Sequence, residues 1–207
     1  QLFVEAFEFA ADDASDLWAG FGGVPRGRVS VVRPGRLGPA APARAYRTIA
    51  LHEFHTVGAD HLPVEHRTVQ VIEANDRVDR YRYRFDTTAA AVSVVRGGTV
   101  SPVYEDELPG IYCVDITLID PLSAGETGSF EYRTIFAYRT PPEPIFRRAA
   151  LGRVENVEIN VQFATEGLPR QVRWCVWDAY DSPAPSSSVE VALRADASVH
   201  RYVEALD

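Results

Sequence analysis

Hydrophobic and polar positions along this chain follow two different periods. From residue 2 to residue 18 the apolar side chains recur about every 3.6 residues, which predicts one short amphipathic helix. From Tyr46 onward the period changes to two, as in strands with one buried face. A Gly-, Pro- and Arg-rich tract separates the two patterns. We therefore predict an N-terminal helix and linker over residues 1–45 and a β domain over residues 46–207.

Three segments show the alternation most clearly. The segment from Arg80 to Phe85 places arginines on one face and aromatic side chains on the other. Residues 129–139 place four aromatic side chains and Thr134 on one face, and residues 155–163 carry apolar side chains at every second position. We expect Tyr83, in the middle of the first segment, to lie in the core.

Short, turn-rich connections join the predicted strands, with almost no helical pattern between them. Parallel neighbours need long crossovers, so we predict antiparallel pairing, with Asp120-Pro121 ending one strand. Each strand has one apolar face, and two sheets packed face to face would bury those faces. The predicted fold is an all-β, antiparallel two-sheet β-sandwich of about ten strands with a short N-terminal helix, and a closed barrel is the alternative.

Composition limits the partners. The length of 207 residues suits one domain, and 46% hydrophobic residues suffice for a core. No apolar run approaches the roughly 20 residues of a membrane span, and the N-terminus does not resemble a secretory signal. A net charge of −8 argues against direct nucleic-acid binding. Because the chain begins with Gln1 and contains no Met, we expect it to be part of a longer protein. With no sign of a membrane span or of export, we predict a cytoplasmic location.

The two cysteines, Cys113 and Cys175, do not fit an immunoglobulin-type disulfide. In that fold a Tyr stands two residues before the second Cys, where this chain has Arg173. We predict two free thiols in a reducing compartment.

Four of the five histidines lie between residues 52 and 66, among several acidic residues. Zinc ligands must point toward one side of the ion, but His52 and His55 face opposite sides of a strand. The HEFH tract also differs from the HExxH helix motif. The pattern favours a solvated strand–loop–strand edge, and we predict no metal and no cofactor.

Arg80, Arg82 and Arg84 are the residues that best suit recognition. Side chains two apart on a strand stand about 7 Å apart on one face, and guanidinium groups bind carboxylates and phosphates. The alternative is a solvent face that is neutralised by an acid on a neighbouring strand, such as Glu158.

Trp177 is a fourth candidate binding residue. It lies three positions after Trp174, which we expect in the core, so a regular strand would place Trp177 on the opposite, exposed face beside Arg173. An exposed Trp there would anchor a ligand or partner, whereas the alternative is that it covers a sheet edge or packs under a loop.

Three tracts, DRYRYRFDTTAAAVSVVRGG, GIYCVDITLIDPLSAGETGSFEYRTIFAYRTPPEPIFRRAA and RVENVEINVQF, carry a family resemblance. Over residues 47–202 the chain resembles the β-rich C-terminal region of actinobacterial XRE-type helix-turn-helix regulators. The resemblance implies an effector or interaction module that accompanies a DNA-binding domain. Residues 1–18 provide at most one helix, so we expect the helix-turn-helix to lie outside this chain or to be absent from the protein.

No catalytic motif is present in the sequence: it has no GxSxG, no CxxC and no phosphate-binding loop in its strand–helix context. We predict no catalytic residues and a non-catalytic regulatory or effector module of an intracellular transcription-regulator-like protein. Its partner is a small-molecule ligand or a protein. A self-association module that forms a homodimer is the alternative, and an enzyme with an unfamiliar site for an anionic small molecule is a third hypothesis.

Overall fold

The computed structural model describes residues 3–9, 45–106, 110–138, 142–150, 153–177 and 184–206, and these contain fourteen strands and no helix. No helix that could cross a membrane is therefore found among them. The strands are β1 Phe3–Phe9, β2 Tyr46–Val57, β3 Pro63–Ala74, β4 Val78–Phe85, β5 Ala90–Arg96, β6 Gly98–Val100, β7 Tyr104–Glu105, β8 Tyr112–Leu122, β9 Thr127–Phe136, β10 Ile145–Ala150, β11 Val154–Phe163, β12 Val172–Trp177, β13 Ser187–Val191 and β14 Ser198–Leu206.

The described strands form three sheets. A six-stranded sheet has the order β14-β11-β2-β3-β9-β5. A four-stranded sheet with the order β10-β1-β12-β13 is called sheet A below, and the sheet β4-β8-β6, with β7 paired to β8, is called sheet C. The predicted all-β class is confirmed, with three sheets in place of the predicted two.

The predicted N-terminal helix is not confirmed where the structure describes it. Residues Phe3–Phe9 form strand β1, which pairs with β10 on one side and β12 on the other. A seven-residue segment with mixed apolar spacing satisfies either period, and two flanking strands supply its backbone hydrogen bonds. Residues 10–44, which include the rest of the predicted helix and the linker, lie outside the described residues, and the division near residue 45 stays a prediction.

One ladder departs from the predicted antiparallel pairing. Strands β2 and β11 run parallel, with Leu51 opposite Val157. Parallel neighbours need a long crossover, and here the chain between residues 57 and 154 provides it, with all of sheet C and strand β10 of sheet A and with no helix among its described residues.

Strand β8 also continues further than predicted. Asp120 and Pro121 lie within it, in the stretch where the ladder with β4 jumps from Thr117 to Leu122. Proline has no backbone N–H to donate to a ladder. Because the register is irregular at Pro121, no ladder hydrogen bond is required of its nitrogen, and the strand continues past it.

The six-stranded sheet buries one face, and two apolar clusters lie against it. The first cluster joins β2, β11 and β14 to Val172 and Trp174 of sheet A. The second joins β3 and β9 to β4 and β8 of sheet C, and it includes Tyr81, Tyr83 and Phe85. The predicted core positions of the Arg80–Phe85 segment are therefore confirmed.

Gly97 connects the six-stranded sheet to sheet C in a single residue between β5 and β6. Its φ of +83° suits glycine, and a Cβ there would lie 2.6 Å from the carbonyl oxygen of Ser129. The glycine thus permits the close crossing of the two sheets.

Replacing Tyr83 with Ala should destabilise the protein by about 3–5 kcal/mol, because the truncated side chain leaves a cavity in the second apolar cluster. Replacing the neighbouring Arg82, which is 45% exposed, with Ala should cost less than about 1 kcal/mol. Urea unfolding of both variants measures the difference. A severe loss for Arg82→Ala beside a harmless Tyr83→Ala would contradict the orientation of β4.

Candidate functional site

A band of buried polar side chains, the polar seam, separates the two apolar clusters on the inner face of the six-stranded sheet. Residues directly opposite in a ladder share a face, so His55 of β2, His66 of β3 and Thr134 of β9 lie in one row. The seam consists of Glu53, His55, His66, Thr68, Gln70 and Thr134, all buried.

An ion pair between Glu53 and Arg148 lies at the centre of the seam. The Nη1 of Arg148, on strand β10 of sheet A, is 3.2 Å from Oε1 of Glu53. Its Nη2 donates a hydrogen bond to the hydroxyl of Tyr81 on β4, at 3.4 Å. One guanidinium therefore contacts all three sheets.

The two charges hold each other ionised. Burial alone would raise the pKa of Glu53, but Arg148 and the two neighbouring histidines outweigh it, so the pKa lies well below its ordinary value. Burial opposes the charge on Arg148 as well, and the Glu53 carboxylate reverses this and raises the pKa of the guanidinium. At neutral pH the pair is a carboxylate and a guanidinium.

The His55 and His66 rings are stacked beside this pair, with centroids 4.1 Å apart and planes at 10°. Each Nε2 lies 3.6 Å from one oxygen of Glu53. Burial, and secondly the neighbouring His66, lower the pKa of His55 to about 4. His55 is therefore neutral in the folded protein at physiological pH.

Several buried atoms of this region have no hydrogen-bond partner among the described residues. They are Oε1 of Glu53, Nδ1 of His55, Oε1 of Gln70 and the hydroxyl of Tyr132. Burial also raises the pKa of Tyr132 well above its ordinary value. The ion pair with Arg148 compensates Oε1 of Glu53. A buried polar atom without a partner costs about 1–3 kcal/mol, so the other three atoms mark a region where stability is not optimised.

The solvated edge predicted for the histidine-rich segment is wrong for Glu53, His55 and His66, which are all buried. The prediction that His52 and His55 lie on opposite faces of the strand is confirmed, because His52 contacts Glu158 whereas His55 stacks on the buried His66. The missing information was the ladder register that places His66 opposite His55. Only the short connection between β2 and β3 hints at this register in the sequence, because strands joined by a tight turn must pair.

His52 lies on the outer face of the six-stranded sheet, where its Nδ1 is 2.6 Å from Glu158. The other oxygen of Glu158 is 2.9 Å from Nε2 of His200. Glu158 therefore pairs with histidines, and its predicted role as the acid beside the arginines is wrong.

The three arginines share one exposed face of sheet C, which we call the arginine face. Asp115 pairs with Arg82 at 3.2 Å and with Arg80 at 3.8 Å, and Asp106 pairs with Arg84. The hydroxyl of Tyr104 donates to Asp115 at 2.9 Å, and Arg82 stacks over the Tyr104 ring at 5.7 Å. The face presents paired charges around an aromatic ring, and its role in binding stays a prediction.

The predicted exposure of Trp177 is wrong. Trp177 is 3% exposed and Trp174 4% exposed, and Cys175 between them is also buried. Buried side chains lie on both faces of strand β12, Trp174 on one face and Cys175 and Trp177 on the other, so the alternation no longer separates core from solvent. Cys113 and Cys175 are free thiols, each buried in a different sheet.

Comparison with known proteins gives only distant similarities. No family model matches the chain, and no curated protein matches it. Among solved structures, an M1 zinc metallopeptidase mutant from Deinococcus radiodurans, bound to a Tyr-Ser-Ala substrate, is 16% identical with a TM-score of 0.36, over 58% of this chain and 33% of the other. The M1 zinc metallopeptidase from the same organism is 13% identical with a TM-score of 0.37, over 59% and 33%. This chain matches about a third of either enzyme, and similarity this weak assigns no function.

Stability should fall as the pH drops, because folding disfavours protonation of His55. The unfolded chain binds a proton near the ordinary pKa of 6.5, and the folded chain binds it only near pH 4. The contribution is full above pH 6.5 and is lost progressively down to about pH 4, by about 3 kcal/mol in total. Urea unfolding in metal-free buffer across this range measures the slope.

The matched variants are His55→Gln, which removes the titrating group, and His61→Asn in the turn after β2. Asn tolerates the positive φ of 59° at position 61, so this control preserves the turn. The slope should shrink in His55→Gln and persist in His61→Asn. Equal slopes in His55→Gln and the unmodified chain would contradict the prediction.

Proposed function

We propose that this chain is a non-catalytic binding module that recognises a partner protein through the arginine face of sheet C. The observation that carries the proposal is the mixture of half-exposed arginines, paired aspartates and Tyr104 on one sheet face. The side chains of Arg80, Arg82 and Arg84 are 60%, 45% and 46% exposed. Arg and Tyr are enriched in protein interfaces, where their long side chains supply contact area as well as hydrogen bonds.

The pairing of the charges favours a protein over a small anion. Each guanidinium already has a carboxylate neighbour, so a free anion meets little net positive charge. A protein surface with its own charged groups exchanges partners with Arg82 and Asp115 and covers Tyr104 at the same time. Of the two predicted partners, a small-molecule ligand and a protein, the arginine face therefore suits a protein better.

The arrangement of the titratable groups supports a non-catalytic role. The carboxylate and imidazole with the most perturbed pKa values, Glu53 and His55, lie beneath Arg148 and the Phe146 ring of β10. General acids and bases must reach the proton that they transfer. In this packing Glu53 and His55 face other protein groups.

Within the same proposal, the module serves a longer cytoplasmic regulator, and the six-stranded sheet and the two smaller sheets are the layers of a β-sandwich. The regulatory role rests on the resemblance to XRE-type proteins. The cytoplasmic location is supported by the two free, buried thiols.

Site-specific photo-crosslinking in the source organism tests the proposal. A benzophenone amino acid is placed at Thr99 on β6, which lies in one row with Thr117 and Arg80. The matched control position is Thr56 of β2, which is exposed on the outer face of the six-stranded sheet. We expect one protein to be cross-linked at position 99 only, and Arg80→Ala with Arg82→Ala to reduce the yield at least tenfold.

Arg133→Ala, an exposed arginine paired with Glu65 on the six-stranded sheet, is the charge control and should leave the yield unchanged. Equal cross-linking at both positions, or a yield unaffected by the arginine changes, contradicts the proposal. Cross-linking to a second copy of this chain favours the self-association alternative instead.

A further inference from the structure

We propose that Glu53, His55 and His66 form a binding site for a divalent transition metal such as Zn²⁺, in which Arg148 takes the place of the cation when no metal is bound. The three residues each offer a ligand atom, and these atoms all lie within 4.8 Å of one another. The inference does not depend on the arginine face or on the partner proposed above.

The donor set is that of a metal site with open positions. Two imidazoles and one carboxylate bind zinc in several hydrolases and Fe(II) in oxygenases. The three residues come from the adjacent strands β2 and β3, whose ladder holds the Cα atoms of His55 and His66 directly opposite each other. Glu53 is two residues from His55 and therefore shares its face.

Buried ligand atoms that make no hydrogen bond are the second observation that points to a ligand. The side chains of Glu53 and His55 are 4% and 8% exposed. Oε1 of Glu53 and Nδ1 of His55 nevertheless accept or donate no hydrogen bond among the described residues. A metal ion would satisfy the imidazole nitrogen of His55, and it would replace Arg148 as the partner of Oε1 of Glu53, which lies 3.2 Å from Nη1 of Arg148.

Arg148 explains how the site is stable without metal. Its guanidinium balances the single negative charge of Glu53 at 3.2 Å. A metal ion and Arg148 together would leave surplus positive charge in a buried place, which is costly. Metal binding must therefore displace Arg148. Its side chain is 20% exposed, and its other side-chain hydrogen bond among the described residues is the long one to Tyr81.

Coordination also requires one imidazole to turn. The stacked rings of His55 and His66 are nearly parallel, so no single ion lies in the plane of both. Among the described residues Nδ1 of His55 has no hydrogen-bond partner, so rotation about the Cβ–Cγ bond gives up the 3.6 Å contact of Nε2 with Glu53 and the ring contacts with His66 and Phe146. The metal site and the ion pair are thus two alternative states of the same residues.

Titration of the full chain with Co²⁺, followed by visible absorption, and then with competing Zn²⁺ tests the site. We expect saturable binding with one ion per chain. His55→Gln and His66→Gln should weaken it at least tenfold. His52→Gln, which changes a neighbouring histidine on the outer face, is the matched control and should bind as the unmodified chain does.

Arg148→Met separates metal binding from a structural role of the cluster, because it leaves all three ligands in place. Binding to this variant should tighten at least tenfold, and Zn²⁺ should raise its melting temperature more than that of the unmodified chain. Circular dichroism checks that each variant is folded. The proposal is overturned if neither the unmodified chain nor Arg148→Met binds Co²⁺, or if His52→Gln abolishes binding while His66→Gln retains it.

Discussion

The buried ion pair between Glu53 and Arg148 is the interaction on which the arrangement of the three sheets depends. Glu53 lies on β2 of the six-stranded sheet, Arg148 on β10 of sheet A, and the Tyr81 hydroxyl that Arg148 contacts on β4 of sheet C. Removing water from two charges is expensive, and their attraction offsets the cost only while both partners are in place. The pair therefore favours one mutual placement of the sheets over other ways of covering the same apolar faces.

The polar seam gives the otherwise apolar inner face of the six-stranded sheet a preference for one strand register. Apolar contacts alone are non-directional, and either cluster tolerates small shifts of its covering sheet. A one-residue slip of β3 against β2 would carry His66, Thr68 and Gln70 from the buried face to the solvent face. The seam thus penalises wrong registers, at the cost of leaving three of its buried polar atoms without a hydrogen bond among the described residues.

The sequence predicted those features that depend on one strand at a time. Alternation placed Tyr83 in the core and Arg82 on the surface. Successive side chains of a strand point to opposite faces, so a strand with one buried face alternates apolar and polar residues. Alternation failed at Trp177, because buried side chains lie on both faces of β12. The helix predicted from the 3.6-residue period is not confirmed at Phe3–Phe9, where two neighbouring strands pair with the segment. The cluster of Glu53, His55 and His66 needs the pairing register, and the contact with Arg148 joins residues about a hundred positions apart. Neither is encoded in local periodicity.

A double-mutant cycle on Glu53 and Arg148, measured by urea unfolding, tests the central role of the ion pair most directly. We predict that Glu53→Leu and Arg148→Met alone each cost about 3–5 kcal/mol, because each leaves a buried charge unpaired. The double variant should recover most of that loss, since no charge then remains buried. Strictly additive losses, with no coupling between the two sites, would show that the pair does not join the sheets and would contradict the account.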